Sequence, residues 1–221
     1  DPAGNSYAGI SDTTTLSFSS ADVINPTLDS STPADNATAV AIDSDIVLTF
    51  SEAVDVETGS ITLKKTSDDS TVETIDVTSD LVTGTGTTEI TINPTDDLDS
   101  ETEYYLQIDE TAFDDPAGNS YAGISDTTTL SFSSADVIDP TLDSSTPADN
   151  ATAVAIDSNI VLTFSEIVDV ETGNITLKKT SDDSTVETID VTSGLVTGTG
   201  TTDITINPTD DLDSETEYYL Q

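Results

Sequence analysis

Along most of the chain apolar residues fall at every second position, and helical spacing of three to four is absent. Ile46, Leu48 and Phe50 share one face of the run 46–50, and Ile61 and Leu63 alternate with Thr62 and Lys64. Ile90 and Ile92 flank Thr91, as Leu130 and Phe132 flank Ser131. Clusters of Asp, Ser, Thr, Gly, Asn and Pro at 43–45, 66–70, 84–86 and 93–97 separate these runs. About seven short strands between such turns predict an all-β sandwich. The abundance of Thr and Val suits a half-buried pleated surface.

The pattern occurs twice. Residues 1–107 return as 115–221 with an offset of 114 and no insertion. Six pairs differ: Asn25/Asp139, Asp45/Asn159, Ala53/Ile167, Ser60/Asn174, Asp80/Gly194 and Glu89/Asp203. A period of this length is a whole domain, large enough to bury its own core, and not a solenoid unit that needs neighbours. Near-identical copies suggest an array selected for reach or copy number. Residues 21–134 form one complete repeat. Residues 135–221 form a second without its last strand, and 1–20 supply only a preceding crossover and that final strand, 13–18. Two readings stay open. The chain is a window on a longer array, or residues 1–20 complete the open sandwich of an identical chain head to tail.

Within the repeat, the stretch 98–108 places a Leu six residues ahead of Tyr104, then alternates apolar residues. It resembles the tyrosine corner of immunoglobulin-like and fibronectin-III-like β-sandwiches. The Tyr104 hydroxyl would meet backbone upstream while Leu106 and Ile108 enter the core, and Tyr218 would repeat this. Tyr105 points the other way and is expected on the surface.

Charge narrows the function. There are 44 acidic residues, four lysines, no arginine and no histidine, for a net charge of −40. With no basic patch, binding to nucleic acid is excluded, and no apolar run approaches the length needed for membrane insertion. Such acidity fits cation recruitment or solubility in salt. Cysteine is absent, so disulfides and thiolate metal sites are ruled out, and divalent metal is the natural alternative staple. Without His or Cys the usual catalytic bases and nucleophiles are missing. Lys64-Lys65 reads as charged blunting of a strand, and no aromatic sugar platform accompanies the carboxylates, so the chain is not expected to be an enzyme.

Ser-Thr-Pro-Ala-Asp-Asn at 31–36, Ile-Val-Leu-Thr-Phe-Ser-Glu at 46–52, the stretch 98–108 and Asp-Asp-Pro-Ala-Gly-Asn at 114–119 follow one another in order. This order resembles bacterial immunoglobulin-like tandem repeats, the extender modules of large secreted adhesins and cell-surface or matrix proteins. The resemblance covers essentially the whole chain. It implies tandem sandwiches in an extracellular, cell-surface or matrix protein, often calcium-bound and often exported by type I secretion.

Chain direction locates a cation site. Consecutive antiparallel strands alternate between the two poles, so the strand 46–50 and the crossover 114–123 should end where the chain comes in. Glu52, Asp114, Asp115 and Asn119 are expected to converge near the incoming segment 22–26 with Asp22. Asp136, Asp139 and Glu166 would do the same in the next repeat, and Asp1 and Asn5 are the counterparts of Asp115 and Asn119. Carboxylates, an Asn carbonyl and backbone oxygens are the ligands that Ca2+ takes, six to eight at a time. An ion there would bridge successive repeats and stiffen the joint. The competing reading is that Asp-Pro-Ala-Gly-Asn is an ordinary turn. Asp35 and Asn36 are weaker candidates.

The expected function is a structural repeat of an extracellular filament or adhesin stalk, rigidified by calcium at its joints. Its partners are neighbouring repeats or identical chains, with a host-surface or matrix ligand beyond them. Two alternatives differ in class: a repeated surface- or glycan-binding module, which needs exposed aromatics such as Tyr7, Tyr121 or Tyr105, and an acidic halophile surface-layer protein with no specific ion site. Sequons at Asn36, Asn150 and Asn174 are common by chance in a Thr-rich chain.

Overall fold

The alternating run at residue 46 becomes the longest strand of the protein, and its apolar face becomes the centre of the core. The computed structural model describes all 221 residues, which divide into two units, 1–137 and 138–221. The first unit holds β1 (Leu28–Thr32), β2 (Ala37–Val40), β3 (Ile46–Val56), β4 (Ser60–Lys65), β5 (Thr71–Asp76), β6 (Val82–Thr83), β7 (Thr87–Ile92), β8 (Glu103–Ile108), β9 (Phe113–Asp114) and β10 (Ser131–Ser134). One sheet runs β1-β3-β7-β6 with β9 also on β3, and the other runs β2-β10-β8-β4-β5. Every pairing is antiparallel except β2 with β10, which is parallel.

Between the sheets, Ile46, Leu48 and Phe50 of β3 and Ile90 and Ile92 of β7 meet Ile61, Leu63, Tyr104, Leu106, Ile108 and Phe132, all buried. This is the two-sheet core that period-2 alternation requires. The tyrosine corner is present: Asp99 N–H donates to the Tyr104 hydroxyl at 2.8 Å, and Asp213 N–H donates to that of Tyr218 at 2.7 Å.

Two aromatic residues depart from expectation. Tyr105 does point away from the core, yet it is only 2% exposed. The Lys64 ammonium stands 5.6 Å from its ring centre, and its hydroxyl donates to Asp69 in the β4–β5 turn, which Lys64 also holds at 2.8 Å. The lysine stem and the turn cover the ring, as amphipathic side chains do. Tyr121 is also buried, within the core. Of the aromatics considered for a ligand platform, only Tyr7 is open, at 80%.

The second unit repeats most of this plan with β11 (Leu142–Thr146), β12 (Ile160–Val168), β13 (Asn174–Lys179), β14 (Thr185–Asp190), β15 (Val196–Thr197), β16 (Thr201–Ile206) and β17 (Tyr218–Leu220). Its sheets run β11-β12-β16-β15 and β14-β13-β17. Residues 151–154 have the sequence of β2 but form no strand. The reason is local: β2 pairs with β10 alone, and the second unit has no counterpart of β10. Its fully buried apolar cluster shrinks to Ile189, Val196, Ile204 and Ile206, with Leu162 and Phe164 only partly covered.

Residues 13–18, expected as a strand, are not one. The same sequence at 127–132 enters β10 because β2 and β8 flank it there. Leu16 and Phe18 instead stand 68% and 90% exposed. A strand is a property of its neighbours as much as of its own pattern.

Candidate cation site

Five residues build one arm of the site. In Asp-Pro-Ala-Gly-Asn at 115–119, Pro116 presets its own φ and Gly118 takes φ +88°. Asp115 Oδ1 accepts the N–H groups of Ala117 and Asn119, both at 2.8 Å, and Oδ2 accepts the Asn119 amide at 2.7 Å. The backbone closes the loop, with Asp115 N–H donating to Asn119 O and Gly118 N–H to Asp115 O, both at 2.9 Å. The same loop stands at residues 1–5, fully exposed. Asp1 there accepts from Ala3 N–H, Asn5 N–H and the Asn5 amide at 3.0, 2.8 and 2.8 Å. The loop's shape therefore belongs to its five residues, as side chain–backbone bonding of this kind allows. The surrounding fold supplies its position.

β9 carries the loop to the end of β3, where Asp55 lies opposite Asp114 and Val56 opposite Phe113. On β3 the ladder to β7 breaks: Thr49 faces Glu89 and the next pair is Val54 with Thr87, so five residues of β3 advance against two of β7. Glu52 sits in this bulge, half-buried between the buried Phe50 and Val54 of the same alternating series. The incoming segment is fastened beside it. Thr27 N–H donates to Ser51 Oγ at 3.0 Å, Ser51 N–H donates to Thr27 O at 2.9 Å, and Pro26 is buried.

Carboxylate oxygens of Asp22, Glu52 and Asp115 thereby lie within 4.8 Å of one another. Asp115 is 3% exposed, and its bonds to the Asn119 amide and the loop N–H groups hold it below the usual Asp range. Glu52 is pushed the other way, above its ordinary 4.5, first by desolvation and then by the charges of Asp22 and Asp115. None of the four lysines relieves this. Each is paired elsewhere, with Asp69, Asp99, Asp183 or Asp213. Three converging carboxylates on a bulge, a closed loop and a tethered segment are hard oxygen donors. They suit a divalent cation of the calcium type, with backbone or water completing its shell.

The candidates separate cleanly. Asp22, Glu52 and Asp115 come together, and Asn119 supports Asp115 through its amide. Asp114 is not in the group, because it follows strand alternation and faces away from Asp115. Asp1 and Asn5 hold each other in the exposed loop. Asp136 belongs to the first unit, where its Oδ1 accepts the Ser100 hydroxyl at 3.2 Å, while Asp139 and Glu166 belong to the second. Asp35 accepts the Ser131 N–H at 3.0 Å and so ties the start of β10 to the turn before β2. Sequence reasoning missed the Thr27–Ser51 clasp and the bulge. Neither has a signal beyond a Ser and a Thr in a chain full of both.

No curated protein is similar in sequence to this chain. Among solved structures, it is similar to the S-layer protein rSbsC(31-844), with 13% identity and a TM-score of 0.35 over 88% of this chain and 25% of that one. It is also similar to the N-terminal part of the bacterial S-layer protein SbsC, with 12% identity and a TM-score of 0.36 over 88% and 43%. The chain thus spans a quarter and under half of their lengths. Residues 22–134 and 136–221 each match the family described as bacterial Ig-like domain. With the two-sheet core, the tyrosine corner and the parallel β2–β10 pair in place, the chain belongs to the bacterial Ig-like domain family.

Proposed function

We propose that each repeat is a spacer in an extracellular or cell-surface protein, a filament or adhesin stalk, and that calcium at the incoming segment stiffens the joint. The Asp22–Glu52–Asp115 triad carries this reading. Asp22 lies on the incoming segment while Glu52 and Asp115 lie on the sandwich, so an ion held by all three fixes the one to the other. Without an ion, Glu52 is raised first by desolvation and then by the charges of Asp22 and Asp115, and binding an ion would offset both. The work of such a module is reach and stiffness, with no chemical step, and neighbouring repeats or identical chains are its first partners. Of the aromatics that a host, matrix or glycan ligand would need, Tyr105 and Tyr121 are buried and Tyr7 is exposed.

The test is thermal unfolding in millimolar calcium and in chelator at fixed ionic strength. A rise of many degrees with calcium, unmatched by magnesium, supports the reading. One observation favours the rival, an acidic surface-layer module with no specific ion: the Asp-Pro-Ala-Gly-Asn loop at 1–5 closes with its own hydrogen bonds. Stability that rises with monovalent salt and ignores calcium would establish that rival.

A further inference from the structure

In the first unit, the turn after β8 and the crossover after β9 enclose a hollow of about 300 Å³, lined by Glu110, Thr111, Ser120, Tyr121 and Ala122. Backbone contacts set its walls. Ser120 bridges to Asp114 and Ile124 to Ile108, while Tyr121 N–H donates to Phe113 O at 2.9 Å. Ala112 N–H closes the turn on Asp109 O, and Thr58 N–H fastens it through Thr111 O, both at 3.1 Å. Gly123 permits the close approach of crossover and turn: a Cβ there would lie 2.4 Å from Ile108 O and 2.9 Å from Glu110 N.

The polar side chains of this hollow have no partners within the chain. Tyr121 is only 6% exposed and its ring is held edge to face by Phe50, yet its hydroxyl makes no hydrogen bond. The other two buried tyrosines differ: the Tyr104 hydroxyl meets Asp99 N–H, and that of Tyr105 meets Asp69. Desolvation raises Tyr121 above the ordinary tyrosine value, so the hydroxyl keeps its proton at neutral pH. The Glu110 carboxylate and the Thr111 and Ser120 hydroxyls are unbonded as well. A buried polar group without a partner costs free energy that a bound ligand can recover.

Charge and donor count decide what fits. No lysine lines the hollow, which disfavours an anion, and a single carboxylate is too few for a divalent ion. An ammonium group brings three N–H donors, and the carboxylate and the three hydroxyl oxygens all accept. The Ala122 methyl offers apolar contact to a hydrocarbon stem. A net charge of −40 draws such a cation in. We infer that the hollow binds a primary ammonium group on an aliphatic stem, as a lysine side chain presents it. The chain's own four lysines are each paired with an aspartate, so another molecule supplies it. This site does not depend on the calcium reading, because none of its lining residues belongs to the triad.

Methyl resonances of Thr111 and Ala122, followed by NMR on the full chain at fixed ionic strength, test this. Nα-acetyl-lysine methylamide should shift them saturably, with the weak, millimolar affinity of so small a ligand. The norleucine counterpart, which has the stem without the ammonium, should not. Tyr121→Phe keeps the ring and removes a hydroxyl that bonds nothing, so it should fold as the parent does. It should bind the lysine derivative about tenfold more weakly, as should Glu110→Gln, in keeping with one lost hydrogen bond to a charged group. Ethylammonium separates two sources of the group. Equal binding points to free amines and tighter binding of the lysine derivative to a protein partner, and both support the site. The absence of any saturable shift, an equal shift from the norleucine compound, or unchanged affinity in Tyr121→Phe would overturn it.

Discussion

Phe50 and Tyr121 meet edge to face, with ring centres 5.1 Å apart and planes at 82°. Phe50 lies two residues before Glu52 and Tyr121 two residues after Asn119, so this contact joins the two elements that carry the cation site. Tyr121→Ala is expected to destabilise the first unit by about 3 kcal/mol through the cavity it leaves. It should also shrink the calcium-dependent rise in melting temperature, whereas Tyr121→Phe should preserve both. Denaturant unfolding with and without calcium reads the two effects.

Glu52→Gln separates repulsion from ligation. The Glu52 carboxyl is held above its ordinary value by desolvation and by Asp22 and Asp115, so its charge opposes folding when no ion is present. The variant should melt higher than the parent in chelator and respond far less to calcium. Asp114→Asn lies outside the triad and should keep the parent response. Calorimetric titration with calcium would distinguish them, and equal heats for all three chains would remove Glu52 from the site.

Acid should act on two kinds of carboxyl with opposite sign. Asp126 is lowered to about 2 by the Thr129 hydroxyl and by backbone N–H groups, and Asp115 is lowered by Asn119. Their stabilisation is fully present above the ordinary Asp value of 3.8 and is lost as pH falls through the folded values. Glu52 is raised, so its contribution favours the fold below 4.5 and is lost as pH rises through its folded value. Melting temperature in chelator should therefore drop steeply below about pH 4, and Asp126→Asn should flatten that drop. On acidification the calcium response should fade first, before the main drop, because Glu52 takes up its proton before the lowered carboxyls do. Melts from acid to neutral pH, with and without calcium, check both limbs.

Two glycines should differ sharply. At Gly84, φ is +103° and an added Cβ would lie 2.0 Å from the Glu89 carbonyl oxygen. Gly118 has φ +88° but open space. Gly84→Ala should cost roughly 3 kcal/mol or more, since backbone must move, and Gly118→Ala about 1 kcal/mol from backbone strain alone. Denaturation midpoints of the two variants give the comparison.

What the sequence reveals here is what short-range physics controls. Alternation at Ile46, Leu48 and Phe50 identifies a core face, Leu98 and Tyr104 identify the corner, and Asp-Pro-Ala-Gly-Asn identifies a loop that closes on itself. Glu52 and Asp115 could be brought together from strand direction alone. The bulge that holds Glu52 could not, because its extra residues appear only when β3 is set against β7. Tyr105 is hidden by a lysine stem and a turn that no pattern at Tyr105 announces. The fates of 13–18 and 151–154 depend on whether a neighbour is present, which identical letters cannot encode.

The parallel pairing of β2 with β10 has a mechanical consequence. Once β1 has been drawn off β3, tension along the chain draws β2 towards its N-terminal side and β10 towards its C-terminal side, so two parallel neighbours are made to slide lengthwise past each other. The bonds that bracket the pair, Asn36 N–H to Ser131 O at 2.7 Å and Ala135 N–H to Val40 O at 2.6 Å, are then loaded together and do not open one after another. A sandwich closed this way resists pulling more strongly than an antiparallel terminal pair of the same length, which would peel apart from one end.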